Sequence, residues 1–404
     1  MKRTTKFSYI LVISGTISSA FSKWFLVWLF AQSDGGAEAV GLYSMVLAVA
    51  TPLFVTAQLG LRTIFVSHET RWPWSTYLFL RGMGTFIGMT ILLTYVFFTA
   101  NVPFYLGLAI TLLKIADSIS DIYAARLQYF HQIQTLGLLS ILSSLITILL
   151  ASISVYVFHS VTWAIVAAAM TSAIFAMAHA LLGRRFEYAS VHEKGGYRGI
   201  IQASIPVTAS QFLSTFLFQI PVLFLGMISN PQTVGVFAAS AYLLTIANIF
   251  GSSLQTILNT PFRREREKNG VKAVARRAFA VTRSIAFIGI IPVILVAFWG
   301  SKLFQVIYGP AFAIPVLPIV LISLAALLNI MAYVQSVTLN VLNRYSIVTW
   351  SMAGSCLVAV LNGLIAFFVG VPDLTIGAIC AFSGSVTRAL FMAVIVSRVT
   401  EKIQ

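Results

Sequence analysis

The chain has 404 residues, of which 59% are hydrophobic and only 9% charged, and its mean hydropathy is +0.93. Soluble domains carry roughly a quarter of their residues as charges, so this composition belongs to a protein dissolved in a bilayer. About twelve stretches reach the length of apolar sequence that a spanning helix needs, which leaves no room for a sizeable soluble domain. No GxxxxGK[ST] phosphate loop occurs, which excludes transport driven by an ATPase of the chain's own.

The first apolar run follows Met1-Lys2-Arg3-Thr4-Thr5-Lys6, contains Lys23 and shows no small-residue cleavage site, so it reads as a retained helix rather than a signal peptide. Hydropathy places helices at 9–31, 40–64, 77–100, 104–124, 136–158, 161–182, 201–228, 234–260, 279–300, 316–340, 347–370 and 376–397. With the N-terminus inside, all of the 26 Lys and Arg except Lys23, Lys114, Lys302 and Arg388 fall on cytoplasmic segments or helix ends, while the outer loops hold Asp34, Glu38 and Asp373. This asymmetry puts both termini in the cytoplasm and accounts for the net charge of +15 without nucleic acid. Cys356 and Cys380 sit in apolar runs, and the five histidines show no metal-ligand spacing, so neither a disulfide, a metal nor a cofactor is expected.

The outer loops, such as Asn101-Val102-Pro103 and Val371-Pro372-Asp373, are too short to hold the catalytic residues of a glycan polymerase. Two cytoplasmic segments are longer. The segment 183–200, with Gly195-Gly196, separates an N-terminal lobe (1–182) from a C-terminal lobe (201–404), six helices each. In 262–278, Val271, Val274, Ala275 and Ala278 recur at helical spacing opposite cations. That segment is either a basic amphipathic helix on the anionic inner leaflet or a topology-setting loop. Val40-Gly41-Leu42-Tyr43 and Val234-Gly235-Val236-Phe237 open helices 2 and 8, half a chain apart. With six helices between them, corresponding helices keep one orientation, so the halves are expected to be parallel repeats. The expected fold is an all-α polytopic membrane protein, about twelve transmembrane helices in two six-helix lobes around a central cavity.

Polar residues facing lipid are costly, so polar stripes should face a cavity or another helix. Helix 2 carries Thr51, Gln58 and Arg62; helix 7, Thr208, Gln211, Thr215 and Gln219; helix 8, Asn248, Ser252, Gln255 and Asn259; helix 10, Asn329, Tyr333, Ser336 and Asn340. Their steps of three, four or seven keep each set on one face. Pro206 and Pro221 are expected to kink or break helix 7, and Gly15 marks helix 1. Lys23, Lys114 and Arg388 lie deep in helices 1, 4 and 12. Snorkelling of Lys23 and a structural carboxylate partner for Arg388 are the alternatives to a binding role. On helix 4, Lys114, Asp117 and Asp121 share a face, with Lys114-Asp117 expected to pair and Asp121 left without a helical partner. Counting Arg62, four cations stand against two carboxylates, and the interior should favour an anion.

Gly41-Leu42-Tyr43-Ser44, Gln58-Leu59-Gly60-Leu61-Arg62, Gly235-Val236-Phe237-Ala238-Ala239-Ser240, Tyr308-Gly309-Pro310-Ala311-Phe312 and Leu342-Asn343-Arg344 are distributed along most of the chain. On these residues the chain resembles the O-antigen type of polysaccharide-repeat flippase, within the multidrug/oligosaccharidyl-lipid/polysaccharide exporter superfamily. The resemblance implies two lobes that open alternately to either side, with helices 1 and 7 lining the cleft. Relatives that flip peptidoglycan precursor carry a cation in helix 1, and Lys23 is similar in placement. Gln219-Ile220-Pro221 stands where many relatives have an acidic residue on helix 7.

The expectation is a flippase, not an enzyme. It would move a polyprenyl-pyrophosphate-linked oligosaccharide from the inner to the outer leaflet of the bacterial cytoplasmic membrane by alternating access. Lys23, Arg62, Lys114 and Arg388 would bind the anion, and Gln58, Gln211, Gln219, Asn248 and Gln255 would line the cavity. Asp117 and Asp121 are the candidates for ion or proton coupling. Membrane lipids and other polysaccharide-assembly proteins are the expected partners. The alternative is a multidrug exporter of the same superfamily.

Overall fold

Inside a bilayer, backbone N–H and C=O groups must be satisfied within the segment, which makes helices the economical answer for a chain this apolar. The computed structural model describes residues 6–68, 72–99, 102–186 and 196–401, with side chains described from 11 to 398. Those residues form helices α1 (Lys6–Ala31), α2 (Gly36–Ala57), α3 (Leu61–Ser67), α4 (Trp74–Phe98), α5 (Phe104–Tyr129), α6 (Ile133–Tyr156), α7 (Val161–Arg184), α8 (Gly196–Ile228), α9 (Pro231–Tyr308), α10 (Val316–Val341), α11 (Tyr345–Phe368) and α12 (Asp373–Glu401). Among the described residues, ten helical segments are long and apolar enough to cross a membrane. The 78-residue α9 contains both expected stretches 234–260 and 279–300, and α5 is of spanning length but carries Lys114, Asp117, Asp121 and Arg126.

Three expectations about continuity are corrected. Helix 2 does not run to residue 64: Leu59 and Gly60 both adopt left-handed backbone angles (φ 53° and 55°), ending α2 and starting α3. Only glycine takes that region without cost, so Leu59 is a strained residue. Helix 7 is not broken by Pro206 or Pro221, because α8 runs from Gly196 to Ile228. Nor does Gly15 interrupt α1; a Cβ there would lie 2.8 Å from the Gly137 carbonyl oxygen, so it serves close packing of α1 on α6.

The basic segment 262–278 is helical but does not offer its apolar face to lipid. Phe262, Val274 and Ala278 bury against Val334, Val337 and Val341 of α10, and Ala275 packs with Leu339, Val348 and Met352. The chain turns at Gly270 (φ 79°), a conformation that requires glycine. Across that turn Glu265 accepts from Asn269 at 2.7 Å and pairs with Arg277 at 3.0 Å. These partners hold the Glu265 carboxyl below its usual range. Arg266 donates to the Val341 carbonyl at the end of α10.

Two compact units are present, Met1–Phe212 and Leu213–Gln404. The division falls inside α8, beyond the 183–200 linker expected from sequence, most of which lies outside the described residues, as do Lys2, Arg3, Arg71, Lys194 and Lys402. The physical reason is visible in the packing. Ile200, Ala203 and Val207 of α8 join Leu61, Phe65, Tyr77, Leu80 and Ile122 of the first unit, whereas Leu217 and Ile220 join Ala359, Ile376 and Cys380 of the second.

Candidate functional site

In the first unit, the left-handed pair Leu59-Gly60 aims Arg62 at α5. Its Nη1 meets Asp121 Oδ1 at 3.0 Å, while Nε and Nη2 donate to Gln128 Oε1 at 3.3 and 3.0 Å. Asp121 is therefore not partnerless. Its second oxygen accepts from Arg81 Nη2 at 2.8 Å, and Arg81 is only 3% exposed. Asp121 thus bridges two guanidiniums with one negative charge, and Arg81 Nε and Nη1 have no hydrogen-bond partner among the described residues. Arg81 and Gln128 escaped the sequence reading. Arg81 falls in the first turns of the apolar stretch 77–100, where a cation reads as belonging to a helix end.

Further along α5, Lys114 and Asp117 lie within electrostatic reach of each other, with Lys23 of α1 acting on Lys114 and Asp117 acting on the buried Tyr43 of α2. The ion pair expected between Lys114 and Asp117 does not form among the described residues. Lys23 is exposed, Lys114, Asp117 and Gln58 are half-buried, and Gln211 donates to Thr63 over 3.4 Å.

The second unit holds a different arrangement. Arg388 is 1% exposed; its Nη1 donates to Asn329 Oδ1 at 3.1 Å, and its guanidinium stacks over the Tyr333 ring at 4.8 Å. Asn329 is itself oriented by donating to Ser385 Oγ at 2.8 Å, and the Tyr333 hydroxyl donates to Asn248 Oδ1 at 2.7 Å. No carboxylate closes on Arg388 among the described residues; α10 and α11 contain none, and those of α12 sit at its two ends. Gln219 and Gln255 are half-buried.

Tyr333 reaches this position because residue 251 is glycine. A Cβ at Gly251 would stand 2.2 Å from the Tyr333 ring. Gly251→Val should therefore cost about 1–3 kcal/mol through overpacking and pull the ring off Arg388. A lowered unfolding midpoint, recovered when Tyr333→Ala is added, is the expected pattern; independent additive losses would show that the two residues do not compete for space.

Buried cations without equal countercharge are the chemistry this chain presents. The family model described as polysaccharide biosynthesis protein matches residues 36–317. The chain belongs to that family. Among its relatives is the capsular polysaccharide biosynthesis protein CapF of Staphylococcus aureus, 23% identical over 352 residues, covering 84% of this chain and 86% of that protein. The fold is that of the lipid II flippase MurJ in an inward closed conformation, with a TM-score of 0.69 at 11% identity over 96% of this chain and 87% of the other. It is equally similar to an inward-facing multidrug resistance transporter of the MATE family and MOP superfamily, with a TM-score of 0.67 at 12% identity over 97% and 99% of the two chains. Membership of the polysaccharide biosynthesis family and an all-helical fold shared with those two proteins are thereby established.

Proposed function

We propose that the protein flips a polyprenyl-pyrophosphate-linked oligosaccharide, an O-antigen, capsular or related repeat unit, from the inner to the outer leaflet of the bacterial cytoplasmic membrane. The observation that carries this reading is the excess of positive charge in apolar helices: Lys23, Arg62, Arg81, Lys114 and Arg388 against Asp117 and Asp121. Intramembrane charge is expensive and is retained where it meets a ligand. A diphosphate is the ligand that such a balance suits, and a polyprenyl tail can remain in the hydrocarbon.

In this reading, Lys23, Arg62, Lys114 and Arg388 neutralise the diphosphate or an acidic sugar. Gln58, Gln211, Gln219, Asn248 and Gln255 hydrogen-bond sugar hydroxyls. The chain works as two six-helix repeats, 1–182 and 201–404, by alternating access, with both termini in the cytoplasm and no covalent chemistry. Asp117 is the better coupling candidate of the two carboxylates, because Asp121 is committed to two arginines. The polysaccharide family and its capsular relative support the substrate class.

The test is the sidedness of lipid-linked saccharide in cells lacking the protein. Its accumulation on the inner leaflet with loss of surface polysaccharide is expected, and Lys23→Glu should reproduce that loss at normal protein level, with Lys23→Arg milder because charge is kept. Unchanged lipid-linked saccharide would put drug export, the activity of the MATE-type relatives, in first place.

A further inference from the structure

The two units share one register over their last three helices: α10, α11 and α12 begin 212 residues after α5, α6 and α7 respectively. Helix α9, however, begins only 195 residues after α2, so the second unit carries 17 more residues from the start of α9 to the start of α10 than the first does from α2 to α5. The excess shows at the turn around Gly270, where α9 doubles back and Glu265 meets Arg277 at 3.0 Å. In the first unit α3 ends at Ser67 and α4 already starts at Trp74. A turn that only had to join two spans could be as short as that one. The basic hairpin of the second unit is therefore an addition that calls for its own account.

On the second arm of the hairpin the cations keep to one face. Lys272, Arg276 and Arg283 are exposed, at steps of four and seven, opposite Val274, Ala275 and Ala278, which bury on α10 and its neighbours. The exposed Phe279 lies between the two arginines, and the same face continues through Phe287, Ile290, Ile294 and Phe298, all exposed, in the stretch 279–300 that hydropathy assigns to the bilayer. The cations thus stand where a lipid-facing surface reaches its polar end. Arg276 and Arg283 are about 11 Å apart along the helix, and side chains of that length bring both guanidiniums to one headgroup layer. Across the turn, Arg264 and Lys268 are exposed as well. The carboxylates of the segment, Glu265 and Glu267, are taken by Arg277 and Arg263. The five remaining cations hold no ion pair among the described residues.

We propose that this hairpin is a docking surface for anionic phospholipid headgroups, which Arg276 and Arg283 hold at the edge of the bilayer while Lys272, Lys268 and Arg264 add longer-range attraction. The attachment is electrostatic, because the apolar side of the segment is covered by α10 and nothing is left to insert. Lipid, rather than an acidic protein, is the occupant because Arg283 and Phe287 share a face one turn apart. A molecule that fits both has a charged head and an apolar tail. Orienting the chain during insertion requires cations on the segment, but not on one face of it. Each lysine or arginine near an anionic leaflet strengthens the hold about fivefold, and salt should weaken it.

The proposal does not depend on the transported substrate, and its test does not use transport. The full-length protein in detergent is titrated with phosphatidylglycerol or with phosphatidylcholine, and bound lipid is read by native mass spectrometry. The wild type should prefer phosphatidylglycerol by about tenfold or more. Combining Lys272→Gln, Arg276→Gln and Arg283→Gln should cut that preference by about fivefold or more, while Arg276→Lys with Arg283→Lys should keep it. Removing three cations of the first unit, with Arg184→Gln, Arg185→Gln and Arg198→Gln, should leave it in place. No preference in the wild type, or an equal loss in the two triple variants, overturns the proposal. A measurement on the wild type alone covers the case of a variant that does not fold. In nanodiscs the amides of 264–283 should exchange more slowly with phosphatidylglycerol than with phosphatidylcholine, and the difference should shrink at high salt. Identical exchange in the two lipids would equally overturn it.

Discussion

Asp121→Asn should destabilise the first unit by roughly 3 kcal/mol, the low end for breaking a buried ion pair. The low end applies because Arg62 is 43% exposed and keeps its Gln128 bond, so most of the loss comes from Arg81, which at 3% exposure has no route to water. Two of its nitrogens already lack partners, and neutralising Asp121 would leave a buried guanidinium with no countercharge at all. Adding Arg81→Met should restore much of the lost stability, since an apolar side chain of similar length needs no partner. Thermal unfolding of the purified single and double variants in detergent is the measurement. A midpoint unchanged in Asp121→Asn would show that the bridge contributes nothing, and a double variant worse than the single would place the defect elsewhere.

The two coupling candidates of α5 differ sharply here, since only Asp121 holds an ion pair among the described residues. Asp117→Asn, with no ion pair to break among the described residues, should leave the unfolding midpoint near that of the wild type. Any loss of export under an imposed proton gradient would then be a functional effect rather than a folding one. Undiminished export in Asp117→Asn would remove the residue from the coupling mechanism.

Helices were legible because hydropathy over a spanning length is a strong one-dimensional signal. The stretches 104–124, 161–182 and 347–370 correspond to α5, α7 and α11. What failed was local backbone conformation and partnership across helices. Hydropathy is blind to the left-handed Leu59-Gly60 pair, which redirects Arg62, and to the continuity of α8 through two prolines whose freed carbonyls a membrane helix can accommodate. Asp121 looked unpaired because only i±3 and i±4 neighbours are visible in one dimension, whereas its partners come from α3 and α4. The amphipathic pattern of 262–278 was correctly periodic, but periodicity does not say whether a protein or a lipid surface covers the apolar face. That face is covered by α10.

Arg388→Met should leave the second unit at least as stable as the wild type while abolishing surface polysaccharide. A buried charge costs several kcal/mol in desolvation, and what offsets it here is one amide oxygen and one aromatic face, with no carboxylate among the described residues and Nε unbonded. Methionine fills a similar volume without that cost, so if Arg388 served only packing, the substitution would be neutral for function too. The informative outcome is therefore the split between stability and export. Arg388→Lys sharpens it: the charge survives, but the planar stack on Tyr333 does not, so an intermediate export level points to charge and a complete loss to the oriented guanidinium. A steep fall in the unfolding midpoint of Arg388→Met would instead make the residue a structural tie between α10 and α12. In that case Lys23, Arg62 and Lys114 of the first unit would be left to hold the anion.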